Sequence, residues 1–260
     1  MLTLQNISFS YTPEPFIKNL DLRITRGEYI GIIGPNGFGK STLLRLMAGL
    51  LKPRRGQTLL ENKQLFKLMR KEIAQQISYV PQTILPLPGF FVKAVVAMGR
   101  YPYRKGLLTT EALEDTLIAQ ALSETGLAGF GDRQFYTLSG GEQQRVIIAS
   151  ALAQQTDLML LDEPTSALDI RHQQGIYKLL KELSHKQNKT IVVVTHDINL
   201  AAQFCDRLLL MDQGKIVADG PPGNVLQFDR IEQVYGVKVF IDINPFTKSI
   251  YILPFDAGTD

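Results

Sequence analysis

The chain has little that would cross-link it or anchor it in a bilayer. Cys205 is the single cysteine among 260 residues, so no internal disulfide can form, which fits a reducing compartment. No apolar run approaches the roughly 20 residues of a membrane span. The segments LMLL (Leu158 to Leu161) and TIVVVT (Thr190 to Thr195) have the length of strands. The apolar stretch from Ile84 to Met98 is interrupted by Pro86, Pro88, Gly89 and Lys93. The opening MLTLQNISFSY lacks the basic start and apolar stretch of a signal peptide. The expectation is a soluble chain whose membrane role, where it has one, is peripheral. There is no long run of like charge, no internal repeat and no low-complexity tract. A formal net charge of +3 is too small to point to a nucleic-acid partner. What remains is an ordinary globular composition, 45% hydrophobic and 20% charged. That is enough for one sizeable core, or one core carrying an insertion.

The pattern along the chain predicts an α/β architecture. LTLQNISFSY and LDLRITRGEY alternate as strands do and predict a small antiparallel layer. YIGIIG (Tyr29 to Gly34) is a short apolar strand entering a glycine-rich turn, and STLLRLMAGLL continues it as a helix. ISYVPQ (Ile77 to Gln82) is a further strand. VKAVVAMGR, EALEDTLIAQALSETG and GEQQRVIIASALAQ carry apolar residues at helical spacing. The reading is therefore a core of residues 1–82 and 156–260, with a helical subdomain inserted at 83–155. LMLLDEP, TIVVVTH and RLLLMDQGKIV return to buried strands, and the amphipathic GIYKLLKELSHK makes a βαβ crossover between the first two. The tail GVKVFIDINPFTKSIYILPF predicts two strands about a turn at Asn244 and Pro245.

The chemistry lies in short motifs at the ends of these elements. GPNGFGKST (Gly34 to Thr42) fits G-x-x-x-x-G-K-[ST]. The backbone N–H groups of Asn36, Gly37, Phe38 and Gly39 and the helix start at Ser41 and Thr42 are placed to cradle phosphates of ATP. Lys40 reaches the β- and γ-phosphates, and Ser41 ligates Mg²⁺. LMLLDEP ends a buried strand on Asp162 and Glu163. Asp162 is expected to hold Mg²⁺, directly or through water, and Glu163 to orient and polarise the attacking water. His196 closes TIVVVT, where its ring can hydrogen-bond the γ-phosphate and the water near it. His172 and His185 fall on predicted helices without partners and read as surface residues. LSGGE (Leu138 to Glu142) opens a helix with Ser139, Gly140 and Gly141, a second anion-binding start. One chain does not need two such sites for one ATP, so this one is expected to serve the γ-phosphate of another chain.

Taken in order, these motifs resemble the nucleotide-binding subunit of ATP-binding cassette (ABC) transporters, from Phe9 to the C-terminal strands. LSGGE is the most specific element of the resemblance. The family implies a phosphate-loop ATPase core with an N-terminal antiparallel β layer and an inserted helical subdomain. It implies that Tyr11 stacks on adenine, that Gln82 touches Mg²⁺ and water and senses the membrane partner, and that Ser166 to Asp169 (SALD) crosses a dimer interface. Two chains would pack head to tail with ATP closed between each phosphate loop and the opposite LSGGE. The resemblance further implies polytopic membrane permease subunits, indirectly a substrate-binding protein, no nucleic acid, and a peripheral place on the cytoplasmic face of the inner (plasma) membrane.

Within that family VVAMGRYPYRKG (Val95 to Gly106), Asp197 to Pro222 and Val225 to Val239 resemble importers of iron-siderophores, haem and cobalamin; related importers carry other metal species or molybdate. Arg100, Arg104 and Lys105 read either as a solvated face or as a contact with the membrane subunit or lipid. Phe38 departs from the family, which has a small residue there, and its ring is expected to turn away from the phosphates. The rival reading is a soluble ABC ATPase of iron–sulfur cluster assembly, against which the MGRYPY segment and the importer-like tail argue.

Overall fold

A computed structural model describes residues 1–14, 16–84, 87–103 and 111–255. The first part of the chain forms β1 (Leu2–Phe9), β2 (Ile17–Ile24), β3 (Tyr29–Ile33), α1 (Lys40–Met47), β4 (Arg55–Leu60), β5 (Lys63–Gln64), α2 (Arg70–Ala74) and β6 (Ile77–Val80). Then come α3 (Val92–Ala97), α4 (Glu111–Glu124) and α5 (Gly140–Ala153), followed by β7 (Leu158–Asp162), α6 (Ile170–Gln187) and β8 (Thr190–Val194). The C-terminal part is α7 (Ile198–Phe204), β9 (Arg207–Asp212), β10 (Lys215–Gly220), α8 (Pro222–Val225), α9 (Phe228–Tyr235), β11 (Lys238–Ile243) and β12 (Ile250–Phe255).

The alternating N-terminal sequence becomes an antiparallel sheet of order β2-β1-β4-β5, with Leu2 opposite Ile24 and Phe9 opposite Ile17. The central sheet has the order β10-β9-β3-β8-β7-β6, parallel from β9 to β6. Its parallel strands are buried on both faces, which is why they read as continuous apolar runs. In β3, Ile30 and Ile32 join one core with the inner face of the antiparallel sheet and with Leu43, Leu44, Leu46 and Met47 of α1. Tyr29 and Ile33 face the other core, filled by α3 to α7. Each fully buried Ile or Leu contributes about 1.5–3 kcal/mol over an exposed one, so the strand is fixed from both sides.

β7, α6 and β8 form the expected crossover between parallel neighbours. The helical insertion is a crossover too: α3 to α5 join β6 to β7, which pair in parallel with Ile77 opposite Leu158. β9 is buried as expected, but β10 alternates in exposure because it is the antiparallel edge strand. The two join through Gln213 and Gly214, both at positive φ, as a tight hairpin requires. β11 and β12 pair as the tail predicts, and the Asn244 side chain accepts the N–H groups of Phe246 and Thr247 to close the turn.

Arg100 corrects the reading of a basic surface. It is 7% exposed, donates to the Ala153 carbonyl at the end of α5 and stacks 4.2 Å from the centre of the Tyr103 ring. A planar guanidinium suits that dual role. Arg104 and Lys105 lie outside the described residues. Among the described residues, no helix is long and apolar enough to cross a membrane.

Candidate functional site

The parallel strands β3, β8, β7 and β6 are neighbours, so the segments leaving their carboxyl ends meet along one sheet edge. They deliver, in that order, the phosphate loop, His196, the Asp162–Glu163 pair and Gln82. Gln82, Glu163 and His196 line a cleft of about 770 Å³ with Tyr11, Thr12 and Phe16 from the antiparallel layer, and Asp162 lies buried just beneath it. Its walls also include Asn36, Gly37, Gly39, Lys40, Ser41 and Thr42.

The loop geometry explains its glycines. Gly34 has φ +142°, and a Cβ there would sit 2.2 Å from the Met211 carbonyl oxygen. Gly39 caps α1 at φ +100° with no side-chain hydrogen bond to the helix. The first amides of α1 are therefore left for an anion. Phe38 is half-buried, does not line the cleft, and accepts the Gly214 N–H through its carbonyl at 3.2 Å.

Lys40 is 4% exposed and folds back on the loop, its Nζ donating to the carbonyls of Gly34 and Pro35 at 2.8 Å each. An ammonium has three N–H groups, so one remains for a phosphate. Burial lowers the Lys40 pKa, and the carboxylates of Glu163 and Asp162 oppose that shift.

Asp162 is fully buried, and each of its oxygens accepts one hydroxyl: Ser41 at 2.8 Å and Tyr79 at 3.2 Å. A hydroxyl and a carboxylate so close offer hard oxygen donors of the kind Mg²⁺ takes. Among the described residues no group of three or more His, Cys, Asp or Glu could hold a metal alone. A cation here must therefore take further oxygens from phosphate and water, as Mg²⁺ does.

Glu163 is held from both sides. The Gln82 side-chain amide donates to Oε2 at 2.7 Å, and His196 Nε2 contacts Oε1. Its backbone stands at φ +49°, and its carbonyl accepts both the N–H and the hydroxyl of Ser166. A non-glycine residue in the left-handed region is costly and tends to mark a functional constraint.

Tyr11 is exposed, packs edge-on against Phe9 with ring centres 4.9 Å apart, and pairs its hydroxyl with Thr42 at 3.3 Å. Ser139, Gly140, Gly141 and Asp169 do not line this cleft. Ser139 caps α5 by accepting the Glu142 N–H, and the Glu142 carboxylate answers on the Ser139 N–H and hydroxyl. Asp169 caps α6 through the His172 N–H. The two starts adjoin: a Cβ on Gly141 would lie 3.2 Å from Leu168 and 3.3 Å from the Ala167 carbonyl. They form one outward surface, on which Ser139 and Gly140 are exposed and Ile170 is 79% exposed.

The two helix histidines have partners, contrary to expectation. His172 Nδ1 lies 2.8 Å from Asp169, and His185 Nε2 lies 3.0 Å from Asp206. Phe16, Arg45, Tyr79 and Tyr235 are site neighbours that the motif reading missed. The Tyr235 hydroxyl, on α9, hydrogen-bonds the Gly34 backbone; burial raises its pKa to about 12. For Tyr79 a signal existed, since it stands three residues before Gln82 on a strand entering the same edge.

The family profile described as "ABC transporter" matches residues 17–166. The chain is 36% identical over 255 residues to the iron(3+)-hydroxamate import ATP-binding protein of Bacillus subtilis (strain 168), covering 98% of this chain and 95% of that protein. Among solved structures, one described as a metal-chelate type ABC transporter in an inward-facing conformation has a TM-score of 0.84 and 29% identity. The match covers 98% of each chain. The dimeric structure of MJ0796, a bacterial ABC transporter cassette, has a TM-score of 0.78 and 33% identity over 85% of this chain and 99% of that one.

Proposed function

Because the chain belongs to the ABC transporter family, as one of its ATP-hydrolysing cassettes, we propose that it energises a membrane importer of metal chelates. The cargo class covers iron-siderophores, haem and cobalamin, with molybdate or other metal species as relatives. The observation that carries the reading is the whole-length match. Similarity to the iron(3+)-hydroxamate import protein and to the metal-chelate type transporter spans the C-terminal α9–β12 segment as well as the motifs. The bare MJ0796 cassette covers only 85% of this chain.

In this reading Tyr11 stacks on adenine. The free amides at Asn36 to Gly39 and the start of α1 hold the phosphates, and Lys40 turns its remaining N–H to the β- and γ-oxygens. Ser41, Asp162 and Gln82 would hold Mg²⁺, which would supply charge neutralisation at the phosphates. Glu163 orients and polarises water for in-line attack; Gln82 and His196 fix its carboxylate and so the line of approach. A second copy docks head to tail, its Ser139 to Gly141 and Ser166 to Asp169 surface closing the cleft. ATP favours the closed pair through its greater affinity for that state, and hydrolysis reopens it. Polytopic permease subunits carry the motion across the membrane, placing the chain peripherally on its cytoplasmic face.

Affinity purification of the tagged chain from gently solubilised cells is the test. A stoichiometric polytopic membrane protein is expected, and that complex in vesicles should take up an iron chelate, haem, cobalamin or molybdate on ATP addition. Recovery only from the soluble fraction with iron–sulfur assembly proteins would leave the ATPase standing and overturn the importer.

A further inference from the structure

We propose that Tyr79 is a positioning residue for the Mg²⁺ carboxylate: its hydroxyl fixes the Asp162 oxygen not taken by Ser41, and Arg45 fixes the hydroxyl. This rests on the reading of Asp162 as the Mg²⁺-binding acid.

Asp162 ends β7 and has no solvent access, so both of its oxygens depend on protein donors. Ser41 supplies one at Oδ1, 2.8 Å away, and Tyr79 the other at Oδ2, 3.2 Å away. Tyr79 reaches across from β6, where it pairs in register with Leu160 of β7, two residues before the acid. A phenol is protonated at neutral pH, so its hydroxyl can serve as the donor to this oxygen.

Arg45 lies four residues after Ser41 on α1, on the same helical face. Its guanidinium lies beside the hydroxyls of Tyr79 and Tyr11, and their proximity raises its pKa. A guanidinium has no lone pair to offer, so it takes the phenol oxygen and leaves the phenol proton for Asp162. When Ser41 turns its oxygen toward a cation, its proton leaves Oδ1, and Tyr79 becomes the contact that sets the carboxylate's rotation. Partners behind a metal ligand orient it in this way and shape metal affinity. The placement also ties the two acids to one segment: Tyr79 contacts Asp162, and three residues on, Gln82 contacts Glu163.

The test is Tyr79→Phe, which removes only the hydroxyl, in the full chain. ATP binding is measured in EDTA and across a Mg²⁺ titration, and turnover at each Mg²⁺ concentration. The expected result is unchanged ATP affinity in EDTA, a rise of roughly tenfold in half-saturating Mg²⁺, and recovery of turnover at saturating Mg²⁺. Arg45→Gln, at an exposed position, should move Mg²⁺ dependence in the same direction by less, and it carries the test should Tyr79→Phe not fold. Wild-type Mg²⁺ dependence in both variants, alongside its loss in Asp162→Asn, overturns the role of Tyr79 and leaves the Mg²⁺ site standing. Equal losses of ATP affinity with and without Mg²⁺ also overturn it. Retained Mg²⁺ dependence in Asp162→Asn removes the premise and the proposal together.

Discussion

Replacing Glu163 by Gln separates chemistry from binding. The substitution keeps the shape and removes the charge of a side chain that is 10% exposed. In the wild type both oxygens accept, one from the Gln82 amide and one from His196. An amide has one accepting end, so one contact turns donor against donor; Gln82 can flip and present its own oxygen there. The fold should lose less than about 1 kcal/mol, since a satisfied hydrogen bond nets only that much. Turnover should lose far more, because a positioned base contributes about 10²–10⁴-fold, or about 3–5 kcal/mol of transition-state stabilisation. The assay pairs phosphate release at saturating Mg²⁺ and ATP with ATP binding by calorimetry and a thermal melt. Turnover within tenfold of wild type would refute the assignment, and so would ATP affinity falling in step with turnover.

Other perturbations address the rest of the machinery. Lys40→Ala removes a charged donor from the phosphates and should weaken ATP binding roughly 10- to 150-fold, as loss of a charge-assisted bond of about 1.5–3 kcal/mol implies; unaltered affinity in calorimetry counts against its role. Phe38→Ser should leave ATP binding intact and change the rate of turnover, and an unchanged rate would dismiss a part for the ring in dimer closure. Asn199→Ala breaks a two-way clamp in which the side chain donates to the Ile252 carbonyl at 3.1 Å and accepts the Ile252 N–H at 2.7 Å. Urea unfolding should show a loss of about 1–3 kcal/mol, and hydrogen exchange should speed in β12; equal protection in β12 contradicts the clamp. Glu142 has its carboxyl pKa lowered by the Ser139 N–H and then its hydroxyl. A lowered folded-state value means the stabilisation is full above the unfolded value and fades as pH falls through the folded one. Glu142→Ala should therefore cost about 0.5 kcal/mol at neutral pH and nothing measurable in acid below its folded pKa; a gap that persists there would exclude the charge.

The site was legible where chemistry forces both residue type and spacing. A glycine loop between a strand and a helix, or two acids ending an apolar run, leaves few other meanings, and those residues do line one sheet edge. Partners supplied from far along the chain were not legible. Arg100 reads as a surface cation in MGRYPYRKG, yet Ala153, 53 residues later, provides the carbonyl that buries it. Tyr79 is one of several apolar residues in a strand, and only the pairing of β6 with β7 turns it toward Asp162. Tyr235 sits in a helix with no motif and meets Gly34 from two hundred residues away. His185 reads as unpartnered because Asp206 stands in the bend between α7 and β9, 21 residues further on. Local pattern sets elements and motifs; tertiary contact decides which polar residues support them.

The place of β3 also sets a timetable for synthesis. It is buried along its whole length, and its two neighbours are β8 and β9. Between Ile33 and Thr190 lie 156 residues, which a ribosome adds in roughly 10–30 s at about 5–20 residues per second. Throughout that interval the strand that launches the phosphate loop has neither of its ladders. Nor does Met211, whose carbonyl crowds Gly34, yet exist. The phosphate loop therefore gains its last neighbour only once β9 emerges, and until β8 arrives YIGII is an unpaired strand that the antiparallel layer and α1 must shelter. Long-range parallel pairing of this kind is slow and exposes such segments to aggregation, so β3 depends on that shelter until β8 and β9 arrive.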